Sequence, residues 1–224
     1  MRFFVISDLH MGESLGIDKA KEQLESLCSR IRADFPPNEI VVFVVMGDII
    51  NASNTNAFDD ARICLNCLKN ELSQFIVKFE FVPGNHDLPE GDIEPFDRFV
   101  AEYGNIAEFS KQHAYSRSYE NVNFIFADSN LYRDHRKPGK IDVDEIEKLI
   151  KPGQNILFCH HAYEHDFGGG HDTIENGSLI LKQLSKMGIT FAFHGHTHRA
   201  DISISESCFL KSSALNLTEL AQHI

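Results

Sequence analysis

The sequence has 224 residues, a formal net charge of −12 and 42% hydrophobic residues, enough chain for a substantial buried core and too apolar for a disordered one. That charge supplies no general field to draw in a long polyanion, which ranks nucleic acid below small molecules as a partner. No uninterrupted apolar run reaches the roughly 18 residues of a membrane span. Five scattered cysteines do not read as a secreted disulfide framework. With no signal-peptide pattern after Met1, a soluble, cytoplasmic protein in a reducing compartment is expected.

In chain order, an apolar run over 2–7 predicts a strand that ends in Ser7-Asp8-Leu9-His10. Helical periodicity over 18–32 precedes a strand at 40–46, which runs into Gly47-Asp48. A helix over 56–75 leads to a strand at 77–82 and then Pro83-Gly84-Asn85-His86-Asp87. A helix at 95–103, a strand at 122–127 and a helix at 142–150 follow. The strand at 155–159 opens into His160-His161, and after a helix at 178–187 the strand at 190–193 opens into His194-Gly195-His196-Thr197-His198. One strand pair fits within 200–211, and another element starts near 215–220. Apolar strands alternating with helices predict an α/β fold with a largely parallel core. A single domain over 1–224 is expected, with an abrupt C-terminus that also suits a domain cut from a longer chain.

The carboxyl ends of strands in an open α/β sheet share one edge, and ligands bind there. Imidazole, carboxylate and amide oxygen at those ends form a nitrogen and oxygen donor set suited to manganese, iron, zinc, cobalt or nickel. Donors from five strand ends exceed what one tetrahedral ion needs, so two divalent cations are the better count. A carboxylate bridging them would offset their repulsion, and a water shared between them would ionise near neutrality and attack phosphorus in line. Without cations, clustered carboxylates would repel by up to ~4 kcal/mol per close pair at an effective dielectric of about 20.

Asp8-Leu9-His10, Gly47-Asp48, Gly84-Asn85-His86-Asp87, His160 and Gly195-His196-Thr197-His198 stand in an order that resembles the calcineurin-like metallophosphoesterase superfamily. The resemblance implies a four-layer fold, two mixed β-sheets packed face to face and flanked by helices. It implies that Asp8, His10 and His198 hold a first metal, that Asp48 bridges, and that Asn85, His160 and His196 complete a second. His86 would contact the phosphate and protonate the leaving oxygen, with Asp87 orienting its imidazole. By the same resemblance His160 is the ligand and His161 faces substrate or supports the site. The implied activity is hydrolysis of a phosphate mono- or diester by a metal-bridging hydroxide, with a small-molecule or nucleotide substrate favoured. A nuclease and a noncatalytic interaction module of the same fold are the alternatives.

Asn51 and Asn54 read as turn residues. Cys64 and Cys67 form Cys-x-x-Cys, but with Ile63, Leu68 and Leu72 they repeat at helical spacing, which places both thiols on an apolar face. Three glycines at 168–170 predict a flexible rim or a close approach to substrate, and 12–16 a loop at the mouth of the site.

Overall fold

The computed structural model describes residues 1–12, 17–51, 57–104, 108–163, 172–198, 201–205 and 208–212, with the backbone alone described at 17–19 and beyond 198. The glycine segment 168–170, Asn54, positions 13–16 and the element near 215–220 lie outside the described residues.

Three strands, β1 (Arg2–Ile6), β2 (Ile40–Met46) and β3 (Ile76–Val82), form one sheet in the order β1-β2-β3 with parallel pairing throughout. The second sheet contains β4 (Ala114–Tyr119), β5 (Val122–Ala127), β6 (Gln154–Phe158), β7 (Ile189–His194), β8 (Asp201–Ser205) and β9 (Cys208–Ser212), in the order β4-β5-β6-β7-β9-β8. Its four inner strands are parallel, and β4 and β8 pair antiparallel at the edges. Among the described residues the first sheet is parallel and the second mixed, whereas two mixed sheets were expected. The final strand pair falls where the sequence predicts one.

Strand alternation produces the layers. In β5, Phe124 and Phe126 join the core between the sheets, while Ile125 and Ala127 face outward into a second core. The same split separates Ile156 and Phe158 from Leu157 in β6, and Phe193 from Ala192 in β7. From the first sheet, the Phe3 ring reaches Phe124 at 5.1 Å and Phe193 at 5.8 Å between centroids. Its neighbour Phe4 turns the other way, stacking on Phe43 at 5.7 Å, and Phe43 continues onto Phe79 at 5.7 Å. That outer face is covered by α1 (Ile17–Asp34), α2 (Ala57–Glu71) and α3 (Glu94–Ala101), with Phe81 and Phe58 both packing on Phe99. The helices α4 (Val143–Leu149) and α5 (Gly177–Met187) cover the second sheet.

Helix α4 starts at Asp142, whose Oδ1 accepts the Glu145 amide at 3.0 Å, and Glu145 in turn accepts the His113 amide at 2.9 Å. Strand β4 was not anticipated: Ser116, Arg117 and Ser118 interrupt its apolar pattern, as suits an edge strand. Cys64 lies buried on α2 with its thiol pushed up to about 11 by burial, so it stays protonated. Among the described residues no helix is long and apolar enough to cross a membrane.

Candidate metal centre

Strand ends bring the donors together, and sharp turns aim them. Asp8 (φ 57°), His10 (44°), Asp48 (50°), His196 (67°) and His198 (51°) all adopt left-handed backbone conformations, each costing about 1–3 kcal/mol and persisting only where the surroundings enforce it. Backbone hydrogen bonds enforce it here: Asp8 N–H donates to Gly47 O at 3.1 Å, His10 to Asp48 O at 2.9 Å and Met11 to Ile49 O at 2.9 Å. Two glycines permit the close approach. A Cβ on Gly84 would lie 2.1 Å from the Asp48 amide nitrogen, and one on Gly195 2.0 Å from Ser7 Oγ.

On one side, Asp8, His10 and His198 present ligand atoms within 4.8 Å of one another. His10 Nε2 lies 3.2 Å from His198 Nε2, which lies 3.7 Å from Asp8 Oδ1. On the other side, His160 Nε2 lies 3.1 Å from Asn85 Oδ1, 3.0 Å from His196 Nδ1 and 3.3 Å from Asp48 Oδ2. Asp48 stands between the halves, its Oδ2 also 3.8 Å from His10 Nε2.

The chemistry of the second group tests its fit to a cation. His160 Nδ1 lies 2.8 Å from the Met46 carbonyl oxygen, which can only accept, so the Nδ1 proton is fixed and Nε2 is left to bind. Nε2 then faces an amide oxygen, a carboxylate oxygen and an imidazole nitrogen, an arrangement that suits a cation at their common focus. His196 is set the same way, with Asp172 Oδ1 3.5 Å from its Nε2 and Nδ1 turned inward. The residues present fit a metal.

Charge within the group is unevenly shared. Burial pushes Asp8 above its usual range. Burial also acts on Asp48, but His160 and the other imidazoles override it and hold Asp48 well below the usual carboxylate range. On His160 burial opposes a proton, and Asp48 overrides it, lifting the imidazole to about 9. Burial lowers His10, and burial with His160 lowers His196 to about 3, so both keep unprotonated nitrogens.

His86 borders the group, its ring 5.1 Å from that of His10, and its amide donates to Asp48 Oδ1 at 2.9 Å. Asp87 is fully buried beneath the same loop. Its buried carboxylate accepts amides from Ile49 at 2.8 Å, Ile50 at 3.1 Å and Gly84 at 2.9 Å, and so ties the β2 and β3 loops together. Burial, then the Asp48 charge, push it up to about 7. Asn51 Oδ1 lies 3.1 Å from His86 Nδ1 and accepts its proton. Asn51 had read as a turn residue. His161 sits behind His160, its Nδ1 2.9 Å from Ser129 Oγ and its ring 4.7 Å from that of His196. Sequence reasoning did not single out Asp172, Ser129 or Asn130, whose Nδ2 donates to Pro83 O at 2.7 Å and steadies the Asn85 loop. The Asn51-Ala-Ser-Asn54 stretch beside Gly47-Asp48 was the available signal for Asn51; the others had none.

A two-sheet α/β sandwich with mixed nitrogen and oxygen donors at its strand ends defines a metal-dependent phosphoesterase. The sequence model of the calcineurin-like phosphoesterases matches residues 1–200, and the chain belongs to that family. Among solved structures it is similar to a phosphopantetheinyl hydrolase from Mycobacterium tuberculosis, with 14% identity, a TM-score of 0.59, and 99% of this chain and 92% of that one covered. It is also similar to a purple acid phosphatase from yellow lupin seeds (15% identity, TM-score 0.62, 95% of this chain and 43% of that one). A third is a 5′-nucleotidase, so named provisionally, from Staphylococcus aureus (13%, 0.59, 94% and 48%). The chain thus spans less than half of the latter two. At these identities the likeness establishes the fold. No curated protein sequence matches the chain significantly.

Proposed function

We propose that the protein hydrolyses a phosphate mono- or diester of a small molecule or nucleotide using two divalent transition-metal cations. Asp8, His10 and His198 would hold one, Asn85, His160 and His196 the other, and Asp48 would touch both. The observation that carries this reading is the convergence of Asn85 Oδ1, Asp48 Oδ2 and His196 Nδ1 on His160 Nε2, whose own proton is committed elsewhere.

The chemistry supplied when the cations are bound is Lewis acidity, which polarises the phosphoryl oxygens and ionises the attacking water between them. The remaining work falls to the chain. His86, fixed by Asn51 at Nδ1 and by its own amide on Asp48, presents its other nitrogen to the leaving oxygen. As the bond from phosphorus to that oxygen breaks, His86 delivers the proton that makes the leaving group a neutral alcohol. Asp87 holds the loops that carry Asp48 and Asn85 in one register. His161, seated against Ser129, packs beside His196 and limits its movement.

The test is a metal-reconstituted panel of phosphomonoesters, linear diesters, cyclic nucleotides and single-stranded DNA. Turnover of a small ester that chelator abolishes and manganese restores is expected. Exclusive turnover of the DNA would replace this reading with a nuclease, and turnover indifferent to chelator would end it.

A further inference from the structure

Beside the candidate centre the surface opens into a cavity of about 470 Å³ that begins at Asn85. The amide oxygen of Asn85 lies 3.1 Å from His160 Nε2, so the cavity adjoins the candidate centre at one of its donors. Its volume lies within the roughly 300–1,000 Å³ of small-molecule sites.

One wall is the 3₁₀ turn Pro89–Gly91, in which Glu90 has a left-handed φ of 54°. The other is the segment from Arg133 to Arg136. The walls meet at Gly91, where a Cβ would come within 2.6 Å of Arg133 O, and this contact closes the floor. Among the described residues Leu88 is the one apolar side chain in the lining, and no phenylalanine or tyrosine joins it. Among the described lining residues the one aromatic ring an aryl group or a nucleobase would meet is the His135 imidazole.

The charges of the walls are more specific. Two guanidinium and two carboxylate groups line the cavity, with the His135 imidazole at the same edge. Arg133 is committed to the protein: Nη1 donates to Asp128 Oδ2 at 2.5 Å and Nη2 to Phe109 O at 3.3 Å. Asp134 is committed to Arg136, receiving Nε at 3.0 Å and Nη2 at 3.2 Å. That pairing orients the Arg136 guanidinium, and among the described residues its Nη1 has no hydrogen bond. Glu90 makes no ion pair among the described residues. An exposed carboxylate with no ion pair among the described residues and an exposed, oriented guanidinium therefore face one space. A purely anionic occupant would meet Glu90 without compensation, and a purely cationic one would meet Arg136.

We infer that this cavity is a leaving-group subsite for a compact alcohol bearing both an ammonium and a carboxylate or similar anion, with Glu90 receiving the cation and Arg136 the anion. The substrate class is then a small bipolar organic phosphate, of which a phosphorylated hydroxy-amino acid is the simplest. The inference rests on the hydrolytic reading for the position of the phosphate, but its test reads binding and not turnover.

The probes are propylphosphonate and its three derivatives carrying on the terminal carbon a carboxylate, an ammonium, or both, the last being the phosphonate analogue of O-phosphoserine. Their carbon–phosphorus bonds resist hydrolysis, and each is titrated calorimetrically into the manganese-reconstituted protein. The bipolar compound is expected to bind about tenfold or more tighter than propylphosphonate, with both singly charged compounds weaker than it. Glu90→Gln should remove the gain due to the ammonium and Arg136→Gln the gain due to the carboxylate. Affinities equal within about twofold, a singly charged compound matching the bipolar one, or tighter binding of benzylphosphonate would each overturn the inference. The wild-type series decides it even if a variant misfolds. A discriminating series without ester turnover would sink the hydrolytic reading alone, and turnover with a flat series would sink this inference alone.

Discussion

His160 donates its Nδ1 proton to the carbonyl oxygen of Met46 at 2.8 Å, which leaves Nε2 as the atom that faces Asp48, Asn85 and His196. Burial opposes a second proton on this ring, but the Asp48 carboxylate overrides it and lifts the imidazole to about 9. Below that pH a proton on Nε2 occupies the place a cation would take, so metal binding must expel it. Raising the pH removes the competitor, and affinity for manganese should climb up to about tenfold per unit from about pH 6.5 to 8.5. Calorimetric titration near pH 7 in two buffers of different ionisation enthalpy should show about one proton released. Release of none would remove His160 Nε2 from the metal site.

Asp48 Oδ2 lies within reach of both halves, 3.8 Å from His10 Nε2 and 3.3 Å from His160 Nε2. Asp48→Asn keeps the volume and the acceptor for the His86 amide while removing the charge that offsets two cations. Hydrolysis of a chromogenic phosphoester should fall by about a thousandfold or more. The rise in melting temperature that manganese gives the wild type should shrink as well. Undiminished turnover in this variant would overturn the bridging role.

Asn51 holds His86 Nδ1 at 3.1 Å, and the ring it orients is the proposed proton donor. Asn51→Ala should leave the protein folded, because Asn51 N–H still donates to Met11 O at 3.0 Å through the backbone. An imidazole that has lost this hydrogen bond would donate less often in the right direction, lowering kcat by about tenfold to a hundredfold with little change in KM. A change confined to KM would indicate that Asn51 contacts substrate and does not position His86.

The ligand types were legible in the sequence because the donor is the side chain itself, and strand ends could be located from apolar runs such as Ile40–Met46, buried along nearly its whole length. The partners were less legible. Asn51 and His86 are 35 residues apart, and only the fold shows that one strand-end loop meets the other. Asp87 follows His86 directly, yet backbone amides of Ile49, Ile50 and Gly84 claim its carboxylate. Such a choice depends on loop geometry that residue identity does not encode. Strand β4 escaped notice for a related reason: its two tyrosines are separated by Ser116, Arg117 and Ser118, and their hydroxyls meet a buried acid on β3 that the sequence does not place near them.

That acid, Glu80, yields the last prediction. It is 5% exposed between the sheets, with Oε1 accepting Tyr119 OH at 2.5 Å and Oε2 accepting Tyr115 OH at 3.0 Å. Burial pushes its pKa up, and the two phenols and Arg117 only partly pull it back. The folded state therefore binds the Glu80 proton more tightly than the unfolded chain does. The resulting stability is fully present below the unfolded value near 4.5 and is lost as pH rises through the folded one. Glu80→Gln removes the titration while keeping the shape and one acceptor, and Tyr115 OH already has a second acceptor in Phe81 O at 3.1 Å. Relative to the wild type, the variant should gain in melting temperature as pH rises from about 4 to 7, whatever its standing at the acid end. A difference that stays constant or narrows over that range would mean that Glu80 is not the group whose protonation the sandwich interior favours.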